Sequence, residues 1–378
     1  MARNIRRRRL AAVVGAVFAA VLVLPSPAQA RPAADGHRAA QAELNAFQAE
    51  TGLGAGLYAG DDTGSWNLTA GTGLAGANRP VQPTDHFRAG SQTKTFTAAV
   101  VMQLVDEGKV SLDTPIEQYL PGVVAGNGYD GNTITVRHLL QHTSGIPESL
   151  LSVPQQSTHT LADLVRQGLA HPPAAAPGTT LIYSNTNYQI LGMLIERITR
   201  VQVGEAITIR IIGPLGLNRT FFPPAGVRTL PDPYVRGYRV LRIGPTVFWT
   251  DVTSDFEPSL FSSAGAMVST EQDLTTFYQA LIGGKVVSQT SLAEMKKMWD
   301  VGQGPGTGVG LGLEAGPLSC GGLALGHNGI VNGYMSLTVV TADGRHASVM
   351  TNSGAYNSQA SAIKKMYKVA DAALCETP

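Results

Sequence analysis

The sequence is poor in the residues that mark a metalloprotein, a nucleic-acid-binding protein or an integral membrane protein. Its 378 residues include two cysteines, 6% aromatic residues and 15% charged residues. No histidine–cysteine cluster has the spacing of a metal site, so we expect no metal and no other cofactor. Basic and acidic residues are nearly balanced, at 28 and 27, which predicts no nucleic-acid partner. The one long apolar run is shorter than a membrane span.

The first 30 residues have the three regions of a secretory signal peptide. Arg3 and Arg6 to Arg9 provide a basic start, residues 10–24 form the apolar run, and Ala28 to Ala30 is an A-x-A cleavage site. We therefore predict that residues 1–30 are removed and that the protein is secreted, without membrane association afterwards. An uncleaved membrane anchor is the alternative. The arginine cluster leaves the twin-arginine export route open beside the general one.

The two cysteines, Cys320 and Cys375, are predicted to pair with each other. An even number of cysteines in an exported protein favours a disulfide. Neither cysteine belongs to a C-x-x-C motif, so we expect a structural role for both. Two free thiols are the alternative.

The hydrophobic pattern changes twice along the chain. Residues 54–71 read as two short strands, and residues 310–352 as four more, before a helix that ends near residue 374. Between residues 91 and 262 helical periodicity dominates, with prolines in the loops. The predicted fold class is therefore α/β, with a sheet domain built from residues 31–90 and 263–378 and a mainly helical domain, residues 91–262, inserted between them.

A serine and a lysine three residues apart begin the first of these helices. Ser91 and Lys94 precede an apolar run with helical spacing, so the lysine is predicted to reach the serine hydroxyl one turn away. A serine needs a neighbouring base to act as a nucleophile, and a lysine serves when its pKa is lowered. The backbone N–H groups at a helix N-terminus also stabilise developing negative charge. Taken alone, the same residues are those of an ordinary helix N-cap and an exposed lysine.

A second polar stretch, Tyr183-Ser184-Asn185, lies just before a predicted helix. A tyrosine near Ser91 can shuttle a proton, and an asparagine can donate a hydrogen bond to a substrate carbonyl. The structural alternative is a tyrosine that only packs at the rim of a loop.

A third polar stretch, His327-Asn328-Gly329, ends a predicted strand. A glycine at this place lets a substrate backbone approach closely. The next backbone N–H, that of Ile330, can pair with that of Ser91 to bind an oxyanion. On its own, a histidine at a strand end is also compatible with a purely structural role.

His138 and His142 are four residues apart on a predicted short helix. This spacing occurs in metal sites, but the sequence has no H-E-x-x-H motif and no evident third ligand. We therefore interpret both histidines as structural.

Together these stretches resemble the serine penicillin-recognising hydrolases, most closely the branch of class C β-lactamases, secreted actinomycete D-alanyl-D-alanine carboxypeptidases and D-aminopeptidases. The family's S-x-x-K, Y-x-N and K/H-x-G elements are present in family order. Residues 143–146, T-S-G-I, and residues 269–274, S-T-E-Q-D-L, are similar as well. The resemblance extends from about residue 40 to residue 375. It implies an antiparallel sheet flanked by helices, with the site at the junction with the helical domain.

The resemblance also implies a function. It indicates a serine hydrolase that forms an acyl-enzyme with D-amino-acid peptides, such as peptidoglycan stem peptides, and that is acylated by β-lactams. The closest activity is that of a D-alanyl-D-alanine carboxypeptidase. The alternatives are a class C-like β-lactamase, a D-amidase, D-aminopeptidase or endopeptidase, and a non-catalytic penicillin-binding module. The residues with implied roles are the nucleophile Ser91, the proton-transfer groups Lys94 and Tyr183, the wall residue His327, and the substrate- or oxyanion-binding residues Asn185, Asn328, Gly329 and Ile330.

Two positions depart from the carboxypeptidases that the sequence resembles. Those enzymes place an arginine after an L-G-L strand and a threonine in the H-T-G motif, whereas this sequence has Glu314 and Asn328. A carboxylate at position 314 would repel the terminal carboxylate of a substrate. We therefore expect a preference for amidated, esterified or extended D-peptides over those that end in free D-alanine. The alternative is that Glu314 points away and that Arg236 or Arg242 holds the substrate carboxylate.

Overall fold

A computed structural model describes residues 31–32, 36–149, 155–243, 246–354 and 359–376 of the chain. The predicted signal peptide lies outside these described residues. No helix within them is long and apolar enough to cross a membrane.

The strands lie mainly in the first and last parts of the chain. Their bounds are β1 Arg31–Pro32, β2 Gly54–Asp61, β3 Gly64–Gly71, β4 Phe87–Arg88, β5 Ala125–Gly126, β6 Tyr129–Asp130, β7 Tyr238–Ile243, β8 Thr246–Asp251, β9 Val268–Ser269, β10 Gly308–Val309, β11 Glu314–Pro317, β12 Leu323–Val331, β13 Tyr334–Val340, β14 His346–Thr351 and β15 Ser353–Gly354.

The helices follow caps that the sequence contains. Thr160 and Thr270 accept hydrogen bonds from the N–H groups three residues ahead, and each begins a predicted helix. The bounds are α1 Arg38–Thr51, α2 Thr93–Asp106, α3 Val136–Leu140, α4 Leu161–Gly168, α5 Asn185–Thr199, α6 Val203–Ile207, α7 Pro258–Phe261, α8 Glu271–Ile282, α9 Gln289–Met295 and α10 Gln359–Cys375.

Eight strands form the main sheet, in the order β1-β3-β2-β14-β13-β12-β11-β10. β1 runs parallel to β3, and the other neighbours are antiparallel. This mixed α/β architecture with a large antiparallel sheet confirms the predicted fold class. β11 covers only the first part of β12, because Glu314 lies opposite Gly326 and Pro317 opposite Leu323. Among the described strands, none pairs with that edge of β12 from His327 onward.

Apolar side chains pack on both faces of the sheet. On one face, α1 and α10 cover a cluster that includes Leu337, Val349 and Met366. On the other face, α2, α5 and α8 contribute to a larger cluster that includes Val340 and Met350. Successive strand residues point to opposite faces, so β13 and β14 supply side chains to both clusters.

One predicted strand is wrong. The pattern of residues 310–314 predicts an extended segment, but the structure has a loop between β10 and β11. Leu311 and Leu313 are fully buried in this loop, at 0% exposure. Gly312 has a φ of +72° and lies so close to α2 that a Cβ there would be 2.3 Å from that of Ala98. The two leucines are therefore buried in the helical core around α2 and do not alternate across the sheet.

One helix begins earlier than predicted. The pattern predicts its start at Tyr188, whereas α5 begins at Asn185, directly after the extended residue Ser184. Asn185 therefore lies in the first turn of a helix. The partition into two domains stays a prediction, and the larger core cluster contains residues of both segments, such as Val100 and Leu281.

Candidate active site

Ser91 lies in a single 3-10 turn that leads directly into α2. Gly90 adopts the left-handed φ of +58°, which glycine tolerates without a steric cost. A Cβ on Gly90 would lie 3.0 Å from the nitrogen of Ile330, and one on Gly329 would lie 1.9 Å from the carbonyl oxygen of Ala89. These two glycines therefore let the chain before Ser91 contact β12. They bring the backbone N–H of Ile330 close to the serine.

Lys94 is fully buried one helical turn after Ser91. Its Nζ lies 3.2 Å from Ser91 Oγ, 2.6 Å from Asn185 Oδ1 and 2.8 Å from the carbonyl oxygen of Ala264. As an ammonium ion, the lysine donates to all three atoms. As a neutral amine it has two N–H donors for the two carbonyl oxygens, and its lone pair then points to the Ser91 hydroxyl.

The environment of Lys94 favours the neutral amine. Burial lowers the pKa of Lys94 to about 7, against the opposing effect of the nearby carboxylates Glu148 and Glu314. The loss of hydration disfavours the charged form of a buried lysine. A large fraction of the side chain is therefore unprotonated near neutral pH, as a general base for Ser91 requires.

The Tyr183 hydroxyl donates a hydrogen bond to Ser91 Oγ at 2.8 Å. The ring stacks on His142, with the two centroids 4.4 Å apart, and its centroid lies 4.8 Å from Lys94 Nζ. Burial raises the pKa of Tyr183 well above its ordinary value, although 38% of the residue's surface is accessible at the mouth of the site. Tyr183 is therefore a neutral proton donor near pH 7.

His142, interpreted as structural from the sequence, supports Tyr183. It is buried, and its Nδ1 accepts a hydrogen bond from the Ser184 N–H at 3.1 Å and lies 3.3 Å from Asn187 Nδ2. Burial holds the pKa of His142 well below its usual range, so the ring is neutral. His138 lies elsewhere and accepts from the Thr135 N–H as part of a helix cap. The contacts of His142 and those of His138 both fit the structural role predicted for these histidines.

The carboxylate of Glu148 orients Asn185, and Glu148 is not among the site residues predicted from the sequence. Glu148 Oε2 accepts from Asn185 Nδ2 at 2.7 Å and from the Asn185 backbone N–H at 3.0 Å. These bonds fix the amide so that its oxygen faces Lys94. Both ends of the amide have protein partners, and the expected contact of Asn185 with a substrate stays a prediction. The available signal for Glu148 was its place directly after the T-S-G-I-P turn.

His327, Asn328 and Glu314 form the second wall of the site. His327 is 4% exposed, with Nδ1 2.5 Å from the carbonyl oxygen of Asn328 and Nε2 3.8 Å from Glu314 Oε1. Glu314 Oε2 accepts from Asn328 Nδ2 at 3.0 Å and from the Tyr367 hydroxyl at 2.9 Å. Burial lowers the pKa of His327, and Glu314 opposes this effect. The Glu314 carboxylate therefore lies beside His327, and its contact with a substrate stays a prediction.

The structure thus brings the predicted site residues together around Ser91. Arg236 and Arg242 were the alternative anchors for a substrate carboxylate. Arg236 is paired with Asp251 at 2.9 Å, and the side chain of Arg242 lies outside the described part of the chain.

Cys320 and Cys375 form the predicted disulfide. It joins the turn after β11 to the end of α10. The same helix carries Tyr367, which contacts Glu314. The disulfide therefore holds in place a helix that contributes to the second wall.

The chain is similar to known proteins over most of its length. Residues 38–371 match the family described as Beta-lactamase. Penicillin-binding protein 4 of Amycolatopsis lactamdurans is 30% identical over 303 residues, which are 76% of each chain. A D-stereospecific amidohydrolase from a Streptomyces species has a TM-score of 0.78 and 38% identity, covering 88% of this chain and 98% of that one. The D-amino acid amidase from Ochrobactrum anthropi SV3 also has a TM-score of 0.78, with 28% identity over 90% and 98% of the two chains.

These similarities confirm the resemblance drawn from the sequence motifs. The matched region includes the turn before α2, α5 and β12, which carry the serine, the asparagine and the histidine of the site. The chain therefore belongs to the β-lactamase family and is a serine hydrolase of the β-lactamase fold.

Proposed function

We propose that the protein is a D-stereospecific amidase or peptidase that hydrolyses D-amino-acid amides and peptides through an acyl-enzyme on Ser91. One observation carries the proposal: Ser91 Oγ lies 2.8 Å from the Tyr183 hydroxyl and 3.2 Å from Lys94 Nζ. The lowered pKa of Lys94, about 7, supports its role as the base. The similarity to a D-stereospecific amidohydrolase and to a D-amino acid amidase supports the substrate class.

The geometry suggests an order of proton transfers. Ser91 Oγ bonds to the substrate carbonyl carbon while its proton moves to Lys94 Nζ. The N–H groups of Ser91 and Ile330 hold the oxyanion. When the carbon–nitrogen bond breaks, Tyr183 donates a proton to the leaving nitrogen and regains one from Lys94. Water then attacks the ester carbon, the ester bond to Ser91 breaks, and a proton from the water returns to Ser91 Oγ.

Two carboxylates flank the group formed by Ser91, Lys94 and Tyr183. Glu148 lies beside Asn185, and Glu314 lies beside His327. Like charges about 4 Å apart repel by roughly 4 kcal/mol at an effective dielectric constant of 20, before solvent screening. A loss of about 1.4 kcal/mol already lowers a rate tenfold. We therefore propose that amidated, esterified or extended D-peptides are better substrates than peptides with a free carboxylate next to the scissile bond.

A D-alanyl-D-alanine carboxypeptidase-like activity is the second candidate. The similarity to a penicillin-binding protein and the histidine of the H-x-G element favour it. In either case we propose that β-lactams acylate Ser91 and that the protein acts outside the cell after removal of residues 1–30.

The test compares kcat/KM for D- and L-alaninamide, and for one D-Ala-D-Ala peptide with a free and an amidated end. We expect at least tenfold preferences for the D-alaninamide and for the amidated peptide. A clear preference for the free acid that persists in Glu314→Gln would favour the plain carboxypeptidase. Rapid turnover of nitrocefin would favour a β-lactamase.

The nucleophile is tested by mass spectrometry of the intact protein after exposure to penicillin. One covalent adduct is expected, and it should be absent in Ser91→Ala. A single adduct that persists in Ser91→Ala would show that another residue is the nucleophile.

A further inference from the structure

A cavity of about 740 Å³ lies beside the second wall, between α10 and strands β11 to β13. Glu314 and His327 line this cavity and are also residues of the second wall. Apolar side chains of the sheet and of α10 form much of the remaining lining, among them Ala324, Leu337 and Ile363. A cavity of this size is within the range of small-ligand pockets. The acylation of Ser91 described above makes no use of it.

The charges around the cavity favour one orientation of a ligand. Next to His327, Glu314 is 23% exposed and presents a carboxylate with acceptor sites beyond its two hydrogen bonds. Asp371, farther along, accepts from the backbone N–H of Ser319 at 2.7 Å. Lys364 and Lys368 line the cavity but are exposed, so they repel a cation at the solvent side. The chemistry that fits is an apolar body with its ammonium group at Glu314.

The register of the sheet indicates which part of a substrate enters the cavity. β11 runs antiparallel to β12 and begins at Glu314, opposite Gly326. A substrate backbone that continues this line along the open edge of β12 is antiparallel to β12 as well. With its scissile carbonyl at the Ile330 N–H, its leaving-group side then extends towards Glu314 and the cavity.

We propose that this cavity is a leaving-group site for apolar amines. It receives the alkyl or aralkyl amine part of a D-aminoacyl amide. After the carbon–nitrogen bond breaks and the nitrogen has gained its proton, the free amine gains a second proton from the solvent, balanced by the proton that the carboxylic acid product releases, and Glu314 holds it as an ammonium ion. The inference rests on the proposed amidase function and adds the class of leaving group.

The kinetic test compares D-alanine hexylamide with D-alanine methylamide. The wild-type protein should show a kcat/KM at least tenfold higher for the hexylamide, because each fully buried methylene is worth about fourfold. Gly316→Leu should reduce this preference to below twofold. Gly316 lines the cavity, and a Cβ there has no neighbour within 4 Å, so a leucine side chain starts in open space and fills part of the cavity. Turnover of the methylamide should stay within twofold.

Gly64→Leu is the matched control, because a Cβ at Gly64 also has no neighbour within 4 Å and this residue does not line the cavity. It should keep the hexylamide preference. Equal rates for the two amides in the wild-type protein, or a preference unchanged in Gly316→Leu, would overturn the proposal.

A binding measurement separates this proposal from the amidase function. Calorimetry with the Ser91→Ala protein should detect hexylamine binding that weakens at least tenfold when either Glu314→Gln or Gly316→Leu is added. Hexanoate should not bind. Binding of hexanoate as tight as that of hexylamine would overturn the cavity assignment. If cavity-dependent hexylamine binding is found but no D-amide is hydrolysed, the amidase function fails and the amine site stands.

Discussion

At the scale of single residues, the site depends on one buried amine. Lys94 has hydrogen-bond partners for three N–H groups, and the longest of these contacts is the one to Ser91. Losing a proton therefore costs the lysine its longest contact and frees a lone pair towards Ser91 Oγ. Asn185 and, through it, Glu148 fix this orientation. Glu148 is thus a positioning residue for Lys94, the proposed base, in addition to being a source of negative charge.

The pH dependence follows from the Lys94 pKa. Only the neutral amine accepts the serine proton, so kcat/KM should rise with pH through a limb near pH 7. Glu148 raises the pKa of Lys94, and its removal should therefore shift the limb to lower pH. We expect this shift in a pH–rate profile of Glu148→Gln, but not in one of Glu43→Gln on α1. An unmoved limb in Glu148→Gln would contradict the assignment.

The hydroxyl of Tyr183 can be tested apart from its ring. Tyr183→Phe keeps the stacking on His142 and removes the hydrogen bond to Ser91 Oγ. We expect kcat for a D-amino acid amide to fall by about 10²-fold, the usual scale for the loss of a positioned proton donor. The melting temperature should change little. A variant with nearly wild-type kcat would exclude Tyr183 as the proton donor.

At the scale of elements, the site depends on the contact between the turn before α2 and β12. Gly329 permits this contact, because a Cβ there would lie 1.9 Å from the Ala89 carbonyl oxygen. We expect Gly329→Ala to lower kcat/KM at least tenfold, since it must move the Ile330 N–H away from Ser91. Gly64→Ala, outside the site and with open space around its Cβ, is the control and should retain activity. Equal activities would show that the contact does not position the oxyanion donors.

The helices and loops show which features of the fold could be predicted from the sequence and which could not. Helix caps are local, so the starts at Thr160 and Thr270 were predictable from neighbouring residues. The loop at residues 310–313 was not predictable, because residues buried against α2 and residues buried in a sheet are both apolar. Glu148 was missed for a related reason. Its contact with Asn185 joins residues 37 apart, and the composition of either segment does not reveal that pairing.

At the scale of the whole molecule, the site is assembled from elements distant in the chain. The turn before α2 supplies the serine, α2 the lysine and α5 the asparagine, while β11 and β12 supply the second wall. The motifs predicted these participants because each is confined to a few residues. Their distances depend on the common core, which joins residues from Val81 to Met350 in a single cluster. Loss of tertiary packing should therefore remove activity and β-lactam acylation together.

The disulfide is the covalent contribution to this packing. It links Cys320 to Cys375, which are 55 residues apart, and the loop-closure model gives about 4 kcal/mol for a loop of this length. We expect the double variant Cys320→Ser/Cys375→Ser to lose an amount of this order in the free energy of unfolding, measured by denaturant titration. The reduced wild-type protein should lose a similar amount, which controls for the serine substitutions.

Because α10 carries Tyr367, the variant should also bind hexylamine more weakly while penicillin still acylates Ser91. Unchanged unfolding in both reduced and substituted proteins would show that α10 is held by its apolar contacts alone.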